Sequence, residues 1–203
     1  YPQTARAMKV VAEDDEAITV GENASRGAKF TVTIVDRNGV PVPDAEADLK
    51  INLKDAADEV IVAVNGSEID PDESFSFSGK AEIRIASPKA GTLSFTVSDA
   101  AKELTTSASV SATFKAGAAK YVGFETSKKS VLLSGDASTT VTAQLFDEFG
   151  NKAAKAGVPV VFAADPANGV TIEGKKGTAT VKTDANGQAT AKVTVARYLE
   201  GEE

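Results

Sequence analysis

Residues 30–39 read FTVTIVDRNG, and residues 141–150 read VTAQLFDEFG. Each is a run of alternating polar and apolar residues that closes on D-x-x-G. The two lie 111 residues apart. A second pair follows in the same order: GKAEIRI at 79–85 and GQATAKV at 187–193, 108 residues apart. Two anchors at nearly one offset define a tandem repeat of about 110 residues, the size of a small β-sandwich. The repeat predicts two domains, residues 1–115 and 116–203.

Period-2 alternation bounded by Gly, Asn and Asp signals half-buried strands joined by tight turns. In the first repeat Phe30, Val32 and Ile34 are expected to face inward, with Thr31 and Thr33 outward. The equivalent inward set is Val141, Ala143 and Leu145, with Thr142 and Gln144 outside. Later in each repeat, Ala81, Ile83 and Ile85 alternate with Glu82 and Arg84. Ala189, Ala191, Val193 and Val195 alternate with Thr190, Lys192 and Thr194. Asn-Gly pairs at 38–39, 65–66, 168–169 and 186–187 favour type I′ hairpins, which need positive φ at both central residues. The prolines, Pro159 and Pro166 among them, sit near run ends or in segments suited to sheet edges. Convincing helical periodicity is absent, apart from one turn expected at Asp55–Val60. The fold class is therefore all-β, built from tandem Ig-like sandwiches.

The two repeats differ at their ends. After Ile85 come two further strand-like segments, GTLSFTV at 91–97 and SASVSATF at 107–114. After Val195 only ARYLEGEE remains. The second module is therefore expected to lack its last two strands, and the natural protein to continue past Glu203. The short junction KAGAAK at 115–120 predicts an end-to-end, rod-like pair with limited bending.

Composition narrows the chemistry. The 203 residues contain no Cys, His or Trp, and only three Tyr. Without His a Ser-His-Asp triad cannot be built, and the commonest general base and transition-metal ligand are missing. Without Cys there are no thiolate nucleophiles, zinc knuckles or disulfides. Paired carboxylates can serve glycosidases, but nothing marks a sugar cleft and aromatic residues are few. The chain is not expected to be an enzyme. Net charge is −7, carried wholly by residues 1–115. That half holds 12 basic and 19 acidic residues, against 10 of each in 116–203. This argues against nucleic acid as a partner, which requires a basic footprint. No apolar run is long enough to cross a bilayer, so no membrane insertion is expected within this segment.

DRNGVPVPDA at 36–45, DEFGNKAAKAGVPVVF at 147–162 and TDANGQATAKVTV at 183–195 resemble bacterial immunoglobulin-like domains of the invasin/intimin type. In that family a strand ends in a D-x-x-G turn and leads into a Pro/Val-rich strand. A T-D-x-x-G-x-A turn comes later. The second repeat matches both motifs. The first has SFSGKAEIRI at 76–85 in place of the second motif, so its match is partial. KAGAAKYVGFET at 115–126 is similar to module junctions in surface-layer proteins. The resemblance covers nearly the whole chain, and its turn motifs speak more to fold than to function. It implies a structural segment of a bacterial surface-layer protein, on the cell surface. Like subunits, and cell-wall polymers, are the partners it implies. The rivals are an adhesin stalk and an accessory module of a secreted carbohydrate-active enzyme.

Candidate site residues are few. Asp36-Arg37-Asn38-Gly39 and Asp147-Glu148-Phe149-Gly150 lack the fuller calcium-loop spacing and are expected to be Asx turns, as is Asp184–Gly187. Dense acidic clusters occur at Glu13–Glu16 and at Glu68, Asp70, Asp72 and Glu73. Hard cations favour converging carboxylates from flexible loops, and surface-layer assemblies use calcium. Asp70, Asp72 and Glu73 are therefore the candidate metal ligands, with calcium the candidate cofactor, while a solvated acidic loop is the commoner reading of such a cluster. Lys128-Lys129 and Lys175-Lys176 are isolated basic pairs expected in exposed turns. Asn23-Ala24-Ser25 and Asn65-Gly66-Ser67 fit the N-x-[ST] pattern.

Overall fold

The computed structural model describes residues 3–54, 59–106, 109–128, 137–165 and 167–196. The chain divides into two compact units, Tyr1–Lys115 and Ala116–Glu203. Among the described residues there is no α-helix. A 3-10 turn stands at Ala24–Arg26, and Glu59, within the turn expected at Asp55–Val60, is also in 3-10 conformation.

Unit 1 contains β1 (Ala7–Ala12), β2 (Ile18–Thr19), β3 (Ala28–Val35), β4 (Glu46–Leu53), β5 (Ile61–Val64), β6 (Ser67–Ile69), β7 (Ser74–Ser78), β8 (Lys80–Ala86), β9 (Gly91–Asp99), β10 (Thr105–Thr106) and β11 (Val110–Lys115). One sheet runs β10-β1-β3-β8-β5-β6 and the other β2-β11-β9-β4-β7. Their central strands β1-β3-β8-β5 and β4-β9-β11 follow the A-B-E-D and C-F-G orders of an immunoglobulin-type sandwich. The alternation explains the layers. Phe30, Val32 and Ile34 on β3, Ala81, Ile83 and Ile85 on β8, and Leu49 and Ile51 on β4 are all buried. Phe30 meets Phe95 of the facing sheet edge to face, with ring centroids 4.8 Å apart and planes at 88°.

Unit 2 contains β12 (Tyr121–Thr126), β13 (Ala137–Phe146), β14 (Pro159–Ala163), β15 (Val170–Ile172), β16 (Lys175–Lys176), β17 (Thr178–Lys182) and β18 (Gln188–Val195). Its sheets run β12-β13-β18-β15-β16 and β14-β17. Position for position these repeat β1-β3-β8-β5-β6 and β4-β7. The register repeats too. Phe30 pairs with Ile83 across β3 and β8, and Val141 pairs with Ala191 across β13 and β18. The sequence offsets of 111 and 108 carry the first pair onto the second. Among the described residues, unit 2 has no counterpart of β9 or β11.

Lys175-Lys176, expected in an exposed turn, is exposed but forms the short edge strand β16. Two further expectations need correction. Of the four Asn-Gly pairs, only Asn65-Gly66 has positive φ at both residues, 50° and 82°. At the other three only the glycine is left-handed. At Asn38 and Asn186 the reason is a preceding aspartate. The carboxylates of Asp36 and Asp184 accept the N–H groups of Asn38 and Asn186, at 2.8 and 2.9 Å, and hold each Asn in an ordinary turn conformation. A second two-residue loop with positive φ at both positions is Glu173-Gly174, between β15 and β16. The other correction is Gln144, which is buried rather than outside. Its Nε2 donates to the carbonyls of Leu145 and Asn186, each at 3.1 Å, and its Oε1 accepts from Gln188 Nε2 at 3.0 Å. The turn at 184–187 folds over it and satisfies the amide.

Four expectations fall wholly or partly outside the described residues. They are the turn at Asp55–Val60 (positions 55–58), the start of the segment 107–114, Lys129 of the Lys128-Lys129 pair, and Pro166. The tail after Ala196 lies outside them as well.

Candidate functional site

Asp70, Asp72 and Glu73 stand in the connection from β6 to β7, and all three are exposed. Asp70 Oδ1 accepts the Asp72 N–H at 3.0 Å, and the Asp70 carbonyl accepts the Glu73 N–H at 2.9 Å. The local sequence D-P-D-E thus closes an Asx turn with its first carboxylate. Among the described residues, no group of three or more acidic side chains converges as metal ligands. The structure does not bring the three carboxylates together.

The aspartates of the three D-x-x-G segments all build turns. Asp36 Oδ1 accepts from Asn38 and Val40, at 2.8 and 3.0 Å. Asp184 Oδ1 accepts from Asn186 and Gln188, at 2.9 and 3.0 Å. Asp147 goes further. It is 0% exposed, and its Oδ1 accepts the N–H groups of Phe149 and Asn151. Its Oδ2 accepts the Gly117 N–H at 2.9 Å and the Asn151 side-chain amide at 3.0 Å. Burial pushes its pKa up. The donors from Gly117, Asn151 and Phe149 outweigh that and hold it below the ordinary carboxylate range.

Sequence reading missed an acidic cleft of about 390 Å³ in unit 1, lined in part by Glu46, Asp48, Asp99 and Glu103. Its buried member is already committed. Asp99 Oδ2 accepts from Glu103 and Leu104, each at 3.1 Å, and Oδ1 from Ala101 at 3.2 Å. Asp48 accepts the Ser76 hydroxyl. No local pattern could reveal this cleft, because it joins β4, β7 and the loop after β9. On the outer face of the other sheet, Glu82 bridges Lys29 at 3.3 Å and Arg84 at 3.0 Å. The Arg84 hydrogen bond is the largest influence lowering the pKa of Glu82.

Every buried side-chain polar atom among the described residues has a hydrogen-bond partner. Asp99 and Asp147, the buried carboxylates among the described residues, both accept main-chain N–H groups of turns.

Unit 2 also exposes large apolar side chains. Tyr121, Val122 and Phe124 on β12 are 56%, 54% and 73% exposed, and Val161 on β14 is 66% exposed. In unit 1, Met8 pairs with Ile34 as Val122 pairs with Leu145, yet Met8 is 1% exposed.

No protein-family profile and no curated protein matches the chain. Among solved structures it is similar to the Escherichia coli adhesin FdeC at 16% identity and TM-score 0.48, over 96% of this chain and 57% of that one. It is similar to invasin, a bacterial integrin-binding protein, at 16% identity and TM-score 0.49, over 95% and 34%. It is also similar to domains 5–6 of the surface-layer protein SbsC, at 16% identity and TM-score 0.34, over 95% and 85%. The chain thus spans 57% and 34% of the first two structures. At these scores the fold assignment rests on the strand order itself.

Proposed function

We propose that the chain is a structural segment of a bacterial surface-layer protein, its Ig-like units serving as bricks of a lattice on the cell surface. The observation that supports this most is the repetition itself. Two units share strand order and register, and the buried carboxylates in both are spent on turns rather than held free for chemistry. Repetition of one module suits a spacer or lattice element, while catalysis needs convergent titratable groups. The junction 115–126 adds support through its similarity to surface-layer junctions. Like subunits are the proposed partners, with cell-wall polymers as the attachment.

A second reading is the stalk of an adhesin, favoured by the D-x-x-G and T-D-x-x-G-x-A turns of invasin/intimin type. Negative-stain electron microscopy of the parent protein separates the two, in millimolar calcium and again with chelator. A two-dimensional lattice is expected. Its loss in chelator would give calcium the cross-linking role that the acidic loops suggest. Separate rods under both conditions would overturn the lattice and leave the stalk.

A further inference from the structure

Both units finish one sheet in the same way. β5 turns into β6 through Asn65-Gly66, and β15 turns into β16 through Glu173-Gly174, and all four loop residues have positive φ. β6 and β16 are the last strands of their sheets, each bonded to one neighbour alone among the described residues. The flanking bonds give the main-chain directions. The Asn65 N–H donates to Glu82 of β8 at 2.9 Å, so Ala63 turns its groups toward β8, and Val62 and Val64 turn theirs toward β6. Ile69 and Ser67 lie opposite those two. The N–H and C=O of Glu68, between them, therefore point out along an open edge. In unit 2 the Glu173 N–H donates to Lys192 of β18 at 2.9 Å, and the Gly177 N–H donates to Val170 at 3.0 Å. Lys176, opposite Thr171, is there the residue whose main chain points out.

The same step after the loop carries opposite charge in the two units. Glu68 and Lys176 are both exposed. Glu68 is followed by Asp70, Asp72 and Glu73, all exposed, and Lys176 stands beside the exposed Lys175. The acid nearest that lysine pair in sequence, Glu173, is already engaged, since its Oε1 accepts the Lys192 N–H at 2.7 Å. The ion pairs among the described residues join Lys29, Arg84 and Lys120 to Glu82 and Glu148, and none uses Glu68, Lys175 or Lys176. A charged edge opposes pairing with its own kind, because like charges then lie directly opposite each other. Two β6 edges repel, and so do two β16 edges. A β6 edge against a β16 edge sets Glu68 opposite Lys176.

We propose that the β6 edge of unit 1 docks on the β16 edge of unit 2 in a second copy of this chain. The inference rests on the lattice reading and names the contact that would build it. Laid antiparallel, the outward main-chain groups of Glu68 and Lys176 exchange hydrogen bonds, and the two side chains stand as neighbours across the seam. The charges then act as a selector, excluding like edges and admitting unlike ones. Because the two surfaces differ, the contact does not close on a two-fold axis. It runs on from copy to copy, as a lattice requires. Each contact is short and therefore weak by itself, and an assembly holds through many of them.

Charge reversal tests this in the 203-residue chain. Sedimentation velocity should show association that grows with protein concentration at low salt and weakens as salt is added. Glu68→Lys and Lys176→Glu, each alone, should weaken it by about tenfold or more, and the two together should restore it to within about threefold. Both positions are exposed, so all three variants should keep the circular dichroism of the unaltered chain. A chain that stays monomeric at every concentration overturns the proposal. Single reversals that leave association unchanged also overturn it, because another surface then carries the contact, as does a double reversal that fails to recover. The lattice reading is judged apart, by microscopy of the parent protein. Separate rods there would sink the lattice, while rescue by the double reversal would still establish the contact. A lattice untouched by the single reversals would sink the contact and leave the lattice standing.

Discussion

Asp36 and Asp147 hold the same place in their repeats, but removing them should have unequal effects. Asp36 is half-buried and accepts two main-chain N–H groups at the turn it closes. Its replacement by Ala should lower the stability of unit 1 by about 1 kcal/mol, the ordinary worth of a surface turn bond. Asp147 is buried and adds the Gly117 N–H and the Asn151 amide to its turn. Asp147→Ala strands buried donors, so unit 2 should lose about 3 kcal/mol. Chemical denaturation of each variant checks both figures. The same carboxylate gives unit 2 a pH dependence. Its folded pKa is lowered, so its contribution is full above the unfolded carboxylate value, about 4, and is lost as pH falls through the folded value. Acid titration of unit 2 stability should steepen below about pH 4, and Asp147→Asn should flatten it. At Gly187 the Ala153 carbonyl oxygen lies 2.0 Å from where a Cβ would be, and at Gly79 the Pro43 carbonyl oxygen lies 2.4 Å away. Both glycines also have positive φ. That shared geometry explains why the second anchor of each repeat begins with Gly.

At the scale of strands, the two sandwiches use one plan with different filling. β3 brings Phe30 against Phe95 of β9, a ring contact across the two layers. β13 presents Val141 at the position of Phe30, half-buried and with no β9 counterpart among the described residues. Phe30→Ala should therefore cost unit 1 about 3–5 kcal/mol, the range for emptying a packed aromatic site. Val141→Ala should cost unit 2 about 1 kcal/mol, because its surroundings are already open. Paired melts of the two variants would read the difference directly. Among the described residues of unit 2, Ala143, Leu145, Ala153 and Ala189 are buried beside a separate apolar cluster. It centres on Ile172, Ala179 and Ala191, with Phe162, Val170, Val181 and Val193 packed around it.

For the molecule as a whole, unequal cores predict unequal melting. The 1–203 chain should unfold in two calorimetric transitions, with unit 2 first. Phe30→Ala should lower only the upper transition and Asp147→Ala only the lower one. A single transition shifted by either variant would contradict this. The lattice reading belongs to the same scale, since a brick assembled by repetition needs stable units, and the microscopy above decides it.

The repeat, the alternation and the turn chemistry sufficed for the all-β class and the inward sets on β3, β8, β13 and β18. Such features are local, because a strand's two faces and a glycine's left-handed turn are written within a few residues. The acidic run at Asp70, Asp72 and Glu73 shows what local reading leaves open. Neighbouring carboxylates in sequence became one Asx turn and two solvent-facing side chains. Only the tertiary structure decided that Gln144 is buried, that Asp147 captures Gly117, and that Val122 and Phe124 stand bare where Met8 is covered. Each depends on which distant strand lies opposite, and the chain's local pattern does not carry that information.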